Sequence, residues 1–231
     1  MLTLEHVLIR QDDFSLTADF SIPAGARVAI LGPSGAGKST LLGTIVGFVV
    51  PERGRILWLG ENIGTLPPGR RPLSILFQDQ NLFPHLDVAG NVGLGLRPDL
   101  RLGPAERDRI AVALARVGLA GYEARRPATL SGGEQSRVAL ARAYLQARPL
   151  MLLDEAFAAL GPALKAGMID LVAGLATETG ATVLMVTHDP ADARRFAGQT
   201  VLVAGGMAHA PQETAGLLDN PPPDLAAYLG T

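Results

Sequence analysis

The stretch "RVAILGPSGAGKST", residues 27–40, constrains the fold of this chain more than any other. Five residues of apolar strand character run into a glycine-rich loop, and a helical pattern begins at Lys38. A short apolar run ending in glycine suits a parallel strand buried on both faces. The loop matches GxxxxGK[ST], in which glycines let the backbone close around phosphate oxygens with several N–H groups pointing inward. Its ligand-contacting residues are expected to be Gly32, Pro33, Ser34, Gly35, Ala36, Gly37, Lys38, Ser39 and Thr40. Lys38 brings a mobile positive charge to the β- and γ-phosphates of a nucleotide, and Ser39 offers a hydroxyl to Mg²⁺. A strand-to-helix turn without a ligand is the competing reading; the flanking strand and helix weigh against it. The other basic residues are arginines apart from Lys165.

Three further apolar runs end on polar residues. "LMLLDE" ends in Asp154 and Glu155, "SILFQ" in Gln78 and "LMVTH" in His188. Open α/β sheets gather ligands at the C-terminal ends of their strands. Phosphoryl transfer needs groups that converge from several strands. Asp154 is then a metal ligand, and Glu155 a group that orients and deprotonates the attacking water. Gln78 suits metal and water contact, so that Ser39, Gln78 and Asp154 make up the expected metal set. His188 suits the γ-phosphate. Taken singly, a strand-end Gln or His is more often a structural residue; the common placement of Gln78 and His188 at strand ends favours the site.

Composition narrows the class. With 231 residues, 48% hydrophobic and 18% charged, the chain has length for a substantial core. A net charge of −2 gives no basic field for nucleic acid, so no nucleic-acid partner is expected. The absence of cysteine removes disulfides and thiolate chemistry. The longest apolar run, 41–50, is about half the ~20 residues of a spanning helix. No signal-peptide order appears at the start. A membrane role would therefore come through a partner.

The patterning predicts an α/β fold of mostly parallel sheet. Alternating segments at 2–9 and 14–22 predict antiparallel strands, followed by strands at 27–31, 55–59 and 72–77 with a helix from 38 to about 48. From 85 to 147 helical spacing dominates, at 104–117 and 133–147. Strands and helices then alternate: strand 150–155, helix 162–179, strand 181–188, a short helix, strand 200–206. The expected organisation is one domain, 1–231. Residues 1–84 and 148–231 form a nucleotide-binding core with an antiparallel β lobe, and 85–147 an inserted helical subdomain.

"LSGGEQSRVALARA", 130–143, puts a second glycine-opened helix start in the same chain. A helix N-terminus carries about half a unit charge, worth ~0.3–1 kcal/mol when exposed. That is too little to bind a nucleotide unaided, though it can complete a site built elsewhere. "LSGGE" together with "GPSGAGKST", "LLDEA" and "VTH" resembles the ATP-binding subunits of ABC transporters, along the whole chain. The resemblance implies the P-loop ABC ATPase fold, ATP hydrolysis with ATP and Mg²⁺, and a head-to-tail homodimer. In it Ser131, Gly132 and Gly133, with Glu134 beside them, bind the γ-phosphate held by the partner subunit. Helix capping is the competing role for Ser131. "FQDQNLFPHLDVAGNVGLGL", 77–96, is similar to importer subunits, whose corresponding region receives the membrane permease. By that likeness the chain sits peripherally on the cytoplasmic face of the bacterial inner membrane and meets a periplasmic substrate-binding protein through the permease. No long regulatory domain of the kind some sugar importers carry is expected.

Within the family the likeness is nearest to thiamine importers, carried by "VAILGPSGAGKSTLL", "PPGRRPLSILFQDQNLFPHL" and "NVGLGLRPDLRL". Thiamine and its phosphorylated forms are implied by likeness only, since no residue of such a subunit touches cargo. An importer ATPase for another small solute, a soluble non-transport ABC ATPase and a catalytically weak regulatory module are the alternatives. A GTPase is excluded by the lack of an NKxD segment. Four positions depart from the family pattern. Glu134 replaces the usual Gln, Ala156 a proline, and "AALG" (158–161) stands where Ser-Ala-Leu-Asp is usual, with φ > 0 a possibility to test at Gly161. No aromatic for adenine stacking is evident in 7–13, which leaves Phe14 as the nearest candidate for stacking or for core packing.

Overall fold

The computed structural model describes residues 1–229. The chain begins with β1 (Leu2–Gln11), β2 (Phe14–Ile22) and β3 (Arg27–Leu31), then α1 (Lys38–Val46), β4 (Arg53–Trp58) and β5 (Glu61–Asn62). After β6 (Leu73–Phe77) come three helices, α2 (Val88–Gly93), α3 (Pro104–Arg116) and α4 (Gly132–Gln146). The last part alternates: β7 (Leu150–Asp154), α5 (Pro162–Thr179), β8 (Thr182–Val186), α6 (Pro190–Phe196) and β9 (Gln199–Ala204). It closes with β10 (Met207–Ala208), β11 (Gln212–Glu213), α7 (Thr214–Asp219) and α8 (Pro223–Leu229).

The strands join in the order β5-β4-β1-β2-β10-β9-β3-β8-β7-β6, with β11 beside β9. From β9 to β6 every pairing is parallel. β1, β2, β4 and β5 pair antiparallel, and β10 bridges the two parts. β4 thus belongs to the antiparallel part and β6 to the parallel one, although both follow α1 in sequence. Helix α1 stops two residues before the expected end, because Gly47 takes a left-handed conformation (φ 99°) that turns the chain out of the helix.

Each parallel strand is buried on both faces, which is why its sequence reads as a continuous apolar run. On one face Ala29, Leu31, Leu153 and Met185 pack into a core shared with α2 to α6. On the other, Ile30, Leu152, Leu184 and Val186 pack with α1 and the antiparallel strands. Each such buried side chain contributes about 1.5–3 kcal/mol. The helices between β6 and β7 therefore share a core with the sheet rather than owning one. Arg71, 3% exposed, clips the end of α1: its guanidinium donates to the Thr44 and Ile45 carbonyls at 2.8 and 2.7 Å and to Gly64 O at 2.9 Å. Among the described residues no helix is long and apolar enough to cross a membrane.

Candidate functional site

The strand order β3-β8-β7-β6 sets side by side the four strands whose ends carry the candidate residues. Leu31 leads into Gly32, Val186 into Thr187 and His188, and Phe77, paired with Asp154, into Gln78. All four run in the same direction, so the candidates meet at one edge of the sheet.

The loop between β3 and α1 owes its path to two crowded glycines. A Cβ on Gly32 would lie 2.0 Å from the Val203 carbonyl oxygen, and one on Gly37 would lie 2.4 Å from the Phe14 ring. Gly37 is also the N-cap of α1, at φ 100° and without any side-chain cap, so the first N–H groups of that helix keep their donor capacity. Phe14 is half-buried against Gly37 and the antiparallel core. Its ring thus takes part in packing at the foot of the loop.

Lys38 is buried and curls over the loop, its Nζ donating to Gly32 O at 2.7 Å and Pro33 O at 2.8 Å. Burial lowers its pKa from the ordinary lysine value, against the opposing pull of Glu155 and Asp154. Ser39 Oγ donates to Asp154 Oδ1 at 3.0 Å. Burial raises the Asp154 carboxyl above the usual range, a rise made larger by Glu155 and smaller by the Ser39 hydrogen bond and Lys38. A hydroxyl and a carboxylate in contact make an oxygen donor pair suited to Mg²⁺, which takes one or two carboxylates and fills its octahedron with water and phosphate oxygens. Among the described residues no group of three His, Cys, Asp or Glu could hold an ion alone, so the cation would depend on the nucleotide.

Glu155 has φ 47°, a left-handed conformation that costs a non-glycine residue of the order of 1–3 kcal/mol. His188 Nδ1 stands 3.5 Å from Glu155 Oε2, with the imidazole 57% and the carboxylate 31% exposed. Gln78 is exposed at the end of β6. A hydroxyl–carboxylate pair, a second carboxylate and an imidazole thus share one edge with the phosphate-loop lysine.

The second helix start is built differently. Ser131 caps α4, and Glu134 closes on it: Ser131 N and Oγ donate to Glu134 Oε2 at 2.7 and 2.8 Å. The return bond, Glu134 N to Ser131 Oγ, is 3.4 Å. The backbone and hydroxyl bonds from Ser131, with one from Tyr122, hold the Glu134 carboxyl below the usual range. Gly133 is buried, with Leu164 of α5 3.7 Å from where a Cβ would stand; Gly132 is exposed. Ser131 does act as a cap, and its capping partner is an acid.

Known proteins resemble this chain. The family profile described as ABC transporter matches residues 16–158. The thiamine import ATP-binding protein ThiQ of Cereibacter sphaeroides is 64% identical over 230 residues, covering 100% of both chains. That of Ruegeria sp. is 56% identical, again over 100% of both. The chain belongs to the ABC transporter family.

Solved ABC cassettes share the fold. A dimeric post-hydrolysis ATP-binding cassette bound to ADP and Pi superposes with a TM-score of 0.78 at 30% identity, covering 93% of this chain and 99% of that one. A dimeric bacterial ABC transporter cassette gives 0.79 at 29% identity, with the same coverage. The expected α/β architecture is therefore that of this ABC family.

Two side chains of this ABC site lie inside the motif stretches 77–96 and 130–143, yet their roles do not show in the motifs. Gln80 donates to Gln78 O at 3.1 Å and Ala156 O at 2.7 Å, tying the loop after β6 to the loop after β7. Arg142 of α4, its guanidinium pKa lowered by burial, donates to the carbonyls of Asn81 and Gln80, each at 2.9 Å. Both act through backbone carbonyls, which any sequence supplies, so no residue pattern marks them. Gly161 has ordinary extended backbone, φ −62° and ψ 156°, as the N-cap of α5. The possibility of φ > 0 there is thereby removed.

Proposed function

We propose that this chain binds and hydrolyses ATP as the energy-coupling subunit of an ABC importer for thiamine and its phosphorylated forms. The observation that carries the ATPase reading is the convergence of Lys38, Ser39, Asp154, Glu155 and His188 at one sheet edge. Full-length identity of 64% to a thiamine import ATP-binding protein supports the cargo.

Lys38 leaves the Gly32 and Pro33 carbonyls to meet the β- and γ-phosphates, a cheap exchange of one set of oxygen acceptors for another. The backbone of Gly32 to Thr40 holds the phosphates' remaining oxygens. Ser39 and Asp154, with Gln78, would hold Mg²⁺, which neutralises phosphate charge when bound. Glu155 takes the proton of the attacking water on a carboxylate oxygen, and its fixed left-handed backbone aims that oxygen. His188 positions the γ-phosphate from the neighbouring strand. Ser131 to Glu134 complete the site of a second subunit, so the working unit is a homodimer with two composite sites.

Residues 1–84 and 148–231 act as the nucleotide-binding core and 85–147 as the helical subdomain that faces the permease. Buried Asn91 supports that role. Its side chain accepts from Phe83 N at 2.7 Å and donates to Phe83 O at 3.0 Å and Asp87 O at 2.9 Å, which holds Phe83 47% exposed. A rigid exposed aromatic beside His85 suits a permease helix. The subunit then works peripherally on the cytoplasmic face of the inner membrane, and reaches a periplasmic binding protein through the permease.

The test is to purify the chain with its membrane permease in vesicles and add candidate binding proteins. Thiamine-loaded binding protein should stimulate ATP hydrolysis several-fold over the unloaded form. Stimulation by another solute instead would replace the cargo; no hydrolysis under any condition would overturn the ATPase reading.

A further inference from the structure

His188 stands on residues 187–189, the link from β8 to α6, and its imidazole is poorly anchored. It is more than half exposed, and its charged neighbour Glu155 lies at 3.5 Å, beyond a good hydrogen bond. Its position must therefore come from the backbone that carries it. That backbone is gripped from two sides by residues that no phosphate contact requires.

On one side is Lys165, one turn into α5, whose N–H donates to Gly161 O at 2.9 Å. Its side chain is only 18% exposed, and its Nζ lies 2.8 Å from Asp189 Oδ2 and 2.9 Å from Asp192 Oδ2. Asp192 Oδ2 accepts from Thr187 Oγ1 at 3.0 Å, and the same hydroxyl oxygen accepts from Asp189 N at 3.0 Å. Burial works against the ammonium, but the hydrogen bonds it donates to both aspartates, with their charges, outweigh it and hold the pKa above the ordinary lysine value. Lys165 thus stays charged. On the other side Tyr228, in the last helix, donates its hydroxyl to the His188 carbonyl at 2.5 Å, across 40 residues of sequence. The helix is seated on the core by fully buried Leu225.

We infer that Lys165 and Tyr228 are positioning residues for His188. Together they clamp residues 187–189 between α5 and α8, so that the imidazole stays beside Glu155 when the γ-phosphate arrives. The inference rests on the reading of His188 as a γ-phosphate contact. A half-buried ammonium between two carboxylates is a stiffer joint than an exposed ion pair, because releasing it leaves two facing charges. A tyrosine hydroxyl on the His188 carbonyl restrains the peptide plane further.

The experiment uses the full chain and measures kcat and KM for ATP, thermal midpoint and direct ATP affinity. Tyr228→Phe, which deletes one oxygen and keeps the ring in the core, should lower kcat about three- to tenfold with KM and ATP affinity within twofold. Lys165→Met should lower kcat about ten- to a hundredfold, and Lys165→Arg should restore most of it. In a His188→Ala background both effects should disappear, since there is no imidazole left to place. Wild-type kcat in Tyr228→Phe would overturn the clamp. Losses in kcat that persist undiminished in His188→Ala would also overturn it, because the two residues would then serve stability alone. Absence of ATP hydrolysis in the wild type would overturn the functional reading instead.

Discussion

The starts of α1 and α4 look alike in sequence, each a helix opened by glycine, yet they are finished in opposite ways. At α1 the cap is Gly37, and the third helical residue is Thr40, so nothing in the side chains competes for the first N–H groups. At α4 the cap is Ser131 and the third residue is Glu134, which folds back onto the cap. The same macrodipole, about half a positive charge, faces both. One end leaves it for a ligand, and the other already carries its own carboxylate. The lesson is that glycine only opens a helix start. The residue three positions after the cap decides whether an anion from elsewhere also meets a resident acid beside the helix N–H groups.

The largest expected effect lies at the site that the α1 start serves. Lys38→Ala should abolish ATP binding, whereas Glu155→Gln should leave it intact and slow hydrolysis by ~10²–10⁴. Titration of each variant with ATP, alongside turnover, checks this; equal affinity in both would break the division of labour between the loop lysine and the strand-end carboxylate. Next, mixing Lys38→Ala chains with Ser131→Arg chains should regenerate one intact composite site per mixed dimer. Partial recovery of ATPase activity is expected over either variant alone. No recovery while mixed dimers demonstrably form would mean that the two starts do not serve one site.

A smaller effect concerns the acid. If the composite site forms as proposed, Glu134→Gln removes a charge beside the incoming γ-phosphate, and should lower the KM for ATP about two- to fivefold at low salt, less at high salt. An unchanged KM would show that Glu134 swings clear before the nucleotide is engaged.

The two starts should also titrate with opposite sign. Asp154 is raised by burial, so its contribution favours the folded chain while protonated and is lost as pH rises through the folded value. Asp154→Asn should therefore raise the thermal midpoint of the nucleotide-free chain at pH 7, and the gain should vanish as pH falls towards ~4. Glu134 is lowered by its bonds to Ser131, so its contribution is present above the unfolded value near 4.3 and lost as pH falls through the lower folded one. Glu134→Gln should lower the midpoint at pH 7, with the loss vanishing below pH ~4. Thermal melts of both variants across pH 3–8 read the two signs directly.

The smallest effect is at Gly161, which caps α5 without a side-chain bond and has open space where a Cβ would stand. Aspartate is a favoured cap, so Gly161→Asp should add a few tenths of a kcal/mol by denaturant unfolding, where Gly161→Ala should not. In the assembled transporter Asp alone should raise the Hill coefficient for ATP. Equal cooperativity in wild type, Ala and Asp would mean that this position does not couple the sites.

The parallel strands and the phosphate loop were legible in the chain because their signals are local. A strand buried on both faces must be apolar throughout, and a backbone pressed against Val203 and Phe14 must be glycine. Gln78, Asp154 and His188 could be gathered from sequence because each closes such a strand. The role of Phe14 could not, since stacking and packing ask for the same ring.

Sequence by itself determined which residue types reach the reacting edge: a lysine, a hydroxyl, two carboxylates, an imidazole. Tertiary structure alone decided what holds them there. Arg142, Gln80, Lys165 and Tyr228 grip the site through backbone carbonyls and through partners tens of residues away. It alone decided, too, that Glu134 closes on its own helix while Lys38 lies folded over its loop. A backbone carbonyl has no residue identity and a long-range contact has no sequence spacing, so neither leaves a pattern to read until the chain has folded.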